Sequence, residues 1–199
     1  PENILKILVK IVQELLSNNS SSWKYKYTAF MILTTMCEEI TDISEIKNIL
    51  PTVFENLKSD QEKIRFACMQ VIEICTDQFN PVFQKTYHQE LFPIMLQSIN
   101  CDPCLRNKLQ VAETIIEFVE NCPEDIIEQY MKSSLDVLFP LLLNENSYVS
   151  LKESVINLLS ELVEISPNSF KPYSSQCLEI LIKVLAFLLK ENKEKSIYG

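Results

Sequence analysis

At 199 residues the chain is long enough to bury a full core. Its single glycine all but excludes the tight hairpins, phosphate-cradling loops and dinucleotide folds that lean on that residue. A formal net charge of −9 argues against a direct nucleic-acid partner, whose phosphates need a basic footprint, and favours basic ligands instead.

Helical apolar spacing begins at once in "ILKILVKIVQELL", where Ile4, Leu5, Leu8, Ile11, Val12, Leu15 and Leu16 form one stripe. "SNNSSS" interrupts it with capping and turn residues. A second helix is expected from Trp23 to about Thr41. "ISEIKNILPTVFENLK", "EKIRFACMQVIEICTD", "FQKTYHQELFPIMLQSI" and "LRNKLQVAETIIEFVE" supply four more. Further helices are expected near 125–143, 148–165 and 173–190, and no stretch reads as a strand. The longest apolar run, Val184 to Leu189, is too short to cross a bilayer, so no membrane partner is expected. No leader marks secretion, and Pro1 in the place of an initiator methionine suggests a piece of a longer protein.

The helices recur in pairs. Pro51, Pro93 and Pro140 stand 42 and 47 residues apart, and the only two arginines, Arg65 and Arg106, are 41 apart. A two-helix period of that length is the signature of HEAT or armadillo repeats, and the missing glycine turn favours HEAT. The expected fold is all-α, a right-handed α-solenoid (armadillo-like superhelix). It forms a single array over residues 1–199 with units at 1–41, 42–78, 83–121, 125–166 and a partial unit at 170–199. "WKYKY", residues 23–27, could be a stacking platform for single strands. Trp23 lies 42 residues before Arg65, however, which puts the segment at the start of a repeat helix. There the aromatics are expected in the core, with Lys24 and Lys26 solvated.

Seven cysteines sit mostly in apolar helical slots and are expected to be free thiols. Cys101 and Cys104 have a C-x-x-C spacing, but with no second pair and only His88 for histidine, neither zinc nor redox chemistry is expected. No catalytic constellation is visible, and adjacent carboxylates such as Glu38 and Glu39 do not face each other on a helix. The chain is expected to be a monomer without cofactor, and not an enzyme.

Several short words then carry a likeness. They are Trp23-Lys24-Tyr25, Arg65-Phe66-Ala67-Cys68, Thr76-Asp77-Gln78-Phe79-Asn80-Pro81, Phe83-Gln84-Lys85 with Tyr87-His88, Glu120-Asn121-Cys122-Pro123, and Phe170-Lys171-Pro172-Tyr173. In this order and spacing the chain resembles the middle of an importin-β (β-karyopherin) family receptor. The resemblance implies a nuclear transport receptor shuttling between cytoplasm and nucleus. Its partners would be cargo signals, FG-nucleoporins and Ran-GTP, which releases the cargo. The alternative is a structural HEAT scaffold, of the phosphatase regulatory or chromosome-organising kind.

In such solenoids the second helix of each unit lines the concave face. Apolar stripes there (Ala67, Cys68, Val71, Ile74, Cys75; Leu109, Ala112, Ile115, Ile116, Val119; Val155, Leu158, Leu159, Leu162, Val163) leave polar residues outside. The candidate cargo-binding ladder is Gln70, Glu73, Asp77, Glu113, Glu117, Glu120, Asn121, Glu153, Asn157 and Glu161. Its carboxylates would pair with a lysine-rich localisation signal, and its amides would hold the signal's backbone.

Overall fold

The computed structural model describes residues 2–17 and 22–198, and every regular element among them is helical. Residues 1–123 and 124–199 form two compact units. The first contains α1 (Glu2–Leu16), α2 (Trp23–Cys37), α3 (Leu50–Asn56), α4 (Glu62–Gln78), α5 (Val82–Cys101) and α6 (Leu105–Glu120). The second contains α7 (Glu124–Leu143), α8 (Val149–Ile165), the short α9 (Pro167–Phe170) and α10 (Ser174–Tyr198).

The three prolines that mark the repeat play two different roles. Pro51 stands in the first turn of α3, where its fixed φ and missing N–H fit the helix start. The helix expected from Ile43 is therefore split. A short 3₁₀ turn at Ile43–Glu45 comes first, opened by the Asp42 carboxylate accepting the Ser44 N–H at 2.8 Å. Pro93 and Pro140 instead lie inside the 20-residue helices α5 and α7.

In the first unit α2, α4 and α6 pack side by side as one layer, with α1 against α2, α3 against α4 and α5 against α6. Ala29, Ala67 and Ala112 are fully buried in this layer, where a small side chain lets neighbouring helices approach. Cys37 and Cys75 meet across α2 and α4 with their sulfurs 3.9 Å apart, buried free thiols that act as small hydrophobes. Phe30, Leu33, Ile72, Ile115 and Phe118 fill the remaining space and are buried. In the second unit α7 packs on both α8 and α10, and Leu135, Leu138 and Leu142 on α7 and Leu151, Val155 and Leu158 on α8 are buried.

Most residues of the expected stripes are buried, but the buried arcs are wider than expected and four positions fall outside them. Ile74, Leu109 and Ile116 are only partly buried and Val163 is 38% exposed, while Ile72, Val111 and Phe118 are buried. A layer helix touches neighbours on more than one side, so its buried arc is wider than a single stripe. The stretch Pro167–Leu189 is long and apolar enough, by length and composition, to cross a membrane, which the longest apolar run had not suggested. Its apolar residues divide between a buried set (Cys177, Ile180, Val184) and an exposed one (Leu178, Ile182, Leu185, Leu189).

A cation at the fourth residue of α2, α4, α6 and α8 ties the pieces together. Arg65 forks onto Asp102, Nε to Oδ2 at 2.7 Å and Nη2 to Oδ1 at 2.9 Å, and Nη1 donates to the Ser59 carbonyl at 2.7 Å. Lys108 donates to the Asn100 carbonyl at 2.6 Å, and Lys152 to the carbonyls of Leu142 and Asn144 at 2.6 and 2.8 Å. Each of these three satisfies carbonyls at or just past the end of the preceding helix, groups with no partner inside that helix. Lys26, expected to be solvated, donates to Asn56 Oδ1 at 3.1 Å and so links α2 to α3.

The aromatic start of α2 is also placed differently from expectation. Trp23 is only partly buried and Tyr25 is 39% exposed. Trp23 meets Tyr27 edge to face at 5.9 Å, and the Lys63 ammonium lies 5.0 Å over its ring. The first turn of α2 lies at the rim of the layer, and the fully buried part of the helix begins at Ala29 and Phe30.

The Arg65–Asp102 pair is nearly dry, with side chains 14% and 5% exposed. Burial alone would raise the Asp102 pKa. The Arg65 hydrogen bonds, the Cys104 N–H and Asn107 outweigh it and hold the carboxyl below its usual range. The contribution to stability is thus present above the unfolded value of about 4 and is lost as pH falls through the lowered folded value. Arg65→Ala should cost about 3 to 5 kcal/mol by stranding the carboxylate. In urea melts, that penalty should shrink below about pH 4 as Asp102 protonates.

Candidate functional site

The C-terminal halves of α4 and α6 carry a group of carboxylates. Asp77, Glu113 and Glu120 are exposed, and Glu73 and Glu117 are partly buried. Burial pushes the Glu73 carboxyl above its usual pKa, and repulsion from Glu113 and Glu117 adds to that, against a hydrogen bond from Gln110. Glu117 is likewise raised by burial, then by Glu120 and Asp77, with Asn121 opposing. These mutual effects join five acidic residues on two helices into one electrostatic cluster.

Amides border it. Gln110, 8% exposed, donates through Nε2 to Glu73 Oε2. Asn121 Nδ2 donates to Glu117 Oε1 at 3.0 Å. Gln70 is partly buried, and its Oε1 is buried without a partner among the described residues. Seven of the sequence-derived site residues thus belong to two neighbouring helices of the first unit, Gln70, Glu73 and Asp77 on α4, Glu113, Glu117 and Glu120 on α6, and Asn121 capping α6. In the second unit, Glu153 and Asn157 are exposed and Glu161 is partly buried, spaced four residues apart along α8. Sequence reasoning missed Gln110. Its position three residues before Glu113 was the available signal, since residues at i and i+3 share a helix face.

The charges run against the helix dipoles. Neither α2, α4, α6 nor α8 has a basic residue in its last turn. Cations gather in their first turns instead (Lys24 and Lys26, Lys63 and Arg65, Arg106 and Lys108, Lys152), and Asp77, Glu117, Glu120 and Glu161 lie toward the C-terminal ends. A carboxylate near a helix C-terminus is unfavourable by about 0.3 to 1 kcal/mol. Helix stability does not account for the acidic cluster.

Elsewhere, His88 is buried within α5, Cys101 is exposed and Cys104 partly so. Among the described residues no three His, Cys, Asp or Glu side chains converge as metal ligands would.

These features define a helical-repeat protein with an acidic face on adjacent second helices, and solved structures share the fold. The karyopherin Kap121p bound to Nup53p superposes with a TM-score of 0.81 over 90% of this chain and 17% of that one, at 24% identity. Kap121p bound to the extreme C-terminus of the phosphatase Cdc14p gives 0.80 over 89% and 17%, also at 24% identity. In sequence, the chain is 26% identical over 187 residues to importin subunit beta-3 of Saccharomyces cerevisiae, covering 93% of itself and 17% of that protein. No protein-family model matches. The expected all-α HEAT solenoid and the resemblance to the importin-β family, of the beta-3 type, are both borne out. The chain spans about a sixth of the length of these relatives.

Because the raised carboxyls favour the protonated form in the folded state, their destabilising effect is absent below the unfolded pKa of about 4.3. It is complete above the raised folded values. A Glu73→Gln/Glu117→Gln variant should therefore melt at a higher temperature than wild type at pH 7. The difference should vanish near pH 4, as thermal melts across that range would register.

Proposed function

We propose that the chain is the cargo-recognition part of a nuclear transport receptor, acting by binding and not by catalysis. The ligand is a lysine-rich, extended localisation signal. It lies along the second helices, its ammonium groups among Glu73, Asp77, Glu113, Glu117 and Glu120. The amides of Gln70 and Asn121 hold its backbone. Glu153, Asn157 and Glu161 on α8 belong to the same ladder, on the concave face of a single array of four repeat units and a partial fifth. In the full-length receptor, Ran-GTP releases the cargo, FG-nucleoporins carry the complex through the pore, and the receptor shuttles between cytoplasm and nucleus.

The observation that carries this reading is the group of five carboxylates on the neighbouring helices α4 and α6, among which burial and then acidic neighbours raise the pKa of the Glu73 and Glu117 carboxyls. A site of that kind recovers its cost when cations arrive. The sequence similarity to importin subunit beta-3 and the fold shared with Kap121p bound to other proteins support the same direction.

Exposed ion pairs contribute only about 0 to 1 kcal/mol each, so affinity must come from several together and should fall steeply with salt. Titrating a fluorescent lysine-rich peptide should give saturable binding. Glu113→Lys with Glu117→Lys should weaken it by roughly tenfold or more, about 1.4 kcal/mol, with the helical CD signal unchanged. Glu55→Lys and Glu128→Lys, exposed on α3 and α7, should change it little. Equal losses from both pairs would reduce the effect to bulk charge, and no binding even at low salt would leave a structural scaffold as the better account.

A further inference from the structure

The opposite ends of the same helices present a second and oppositely charged feature. At the N-terminal edge of α2, α4 and α6, a cavity of about 260 Å³ is lined by Trp23, Tyr27, Lys63, Phe66 and Arg106, with Glu62, Cys104 and Asn107 completing the wall. Lys63 Nζ lies 5.0 Å over the Trp23 ring, and the Arg106 guanidinium carbon lies 3.9 Å from the centre of the Phe66 ring. Both cations are exposed, and neither makes a salt bridge among the described residues, where the pairs are Arg65–Asp102 and Lys132–Asp136.

We propose that this cavity is a binding site for an oxyanion side chain, carboxylate or phosphate, on an acidic peptide segment. A guanidinium held over a ring by its carbon still has N–H groups to give, and these can fork onto a carboxylate or phosphate. Resting on rings holds both cations in place and removes part of their hydration, so less ordering is left for the ligand to impose. Their placement in first turns opposes the helix dipoles, a cost that a bound anion would reverse. Glu62 is the one carboxylate on the wall, leaving a formal charge of +1 from Lys63, Arg106 and Glu62. The volume suits one large side chain. A nucleic-acid strand is disfavoured because stacking needs bare ring faces, and one face of Trp23 and one of Phe66 are already covered by Lys63 and Arg106. A strand would also bring a row of phosphates to a chain of net charge −9.

Trp23 is the only tryptophan in the chain, so its emission reports on this cavity directly. The 199-residue protein is titrated with two capped peptides, one carrying a single phosphoserine among glycines and one carrying three glutamates, and with an oligothymidylate of matched charge. The expected result is a saturable change in Trp23 emission with at least one peptide, the tighter of the two naming the oxyanion. Lys63→Gln and Arg106→Gln, both at exposed positions, should each weaken it about fivefold. Glu62→Gln should tighten it. Thermal melts confirm that the variants are folded, and ¹⁵N-indole NMR of Trp23 gives a second reading of binding. The Glu113→Lys/Glu117→Lys variant should bind these acidic peptides as tightly as wild type or more so, which separates this site from the carboxylate cluster. No saturable change at millimolar peptide would overturn the proposal. So would unchanged affinity in the double variant of Lys63 and Arg106, or an oligothymidylate that binds more tightly than both peptides.

Discussion

The fourth residue of each second helix does the joining that this architecture requires. A pair of helices cannot bury its own apolar face, so neighbouring pairs must stack in a fixed register. Apolar packing between α2, α4 and α6 is not directional. Arg65 supplies direction by reaching two ways at once, back to the Ser59 carbonyl after α3 and forward to the carboxylate of Asp102 before α6. Lys152 shows the same demand in the second unit. It is 3% exposed, and such burial is tolerated because two carbonyls receive its ammonium and Phe187 lies 5.5 Å away.

With their first turns committed to cations, the second helices carry their negative charge toward the other end. This polarity is the reverse of what isolated helices favour. Arg65, Lys108 and Lys152 recover the cost by bonding to carbonyls that would otherwise lack partners. The carboxylates of α4 and α6 are compensated less. Glu73 has Gln110 and Glu117 has Asn121, yet both remain raised by burial and by their acidic neighbours. A face that repels itself in the absence of ligand is suited to binding cations. The same helices offer Lys63 and Arg106 at the far edge, so one layer presents opposite signs at its two ends.

The chain covers 17% of importin subunit beta-3. Ion pairs at exposed positions are individually weak, so a long array gains affinity by adding sites along an extended ligand. The first unit carries five carboxylates on α4 and α6, and in the second unit α8 carries Glu153 and Glu161.

Helix positions, the repeat length and most acidic candidates were legible from the chain itself, because period and spacing are local properties. Apolar residues at helical intervals, prolines 42 and 47 residues apart and a single glycine leave few alternatives to stacked helix pairs. Burial at the rim was not legible. Trp23 and Ala29 belong to one helix, and periodicity cannot tell how far the neighbouring helix extends beside each of them. Only the packed layer put Lys63 over Trp23 and Arg106 over Phe66, and drew Lys26 to Asn56. Likewise Gln110 reads as one more polar residue until α4 places Glu73 against it. Spacing along one helix determines which residues share a face, whereas contacts between residues some forty positions apart depend on how the helices dock.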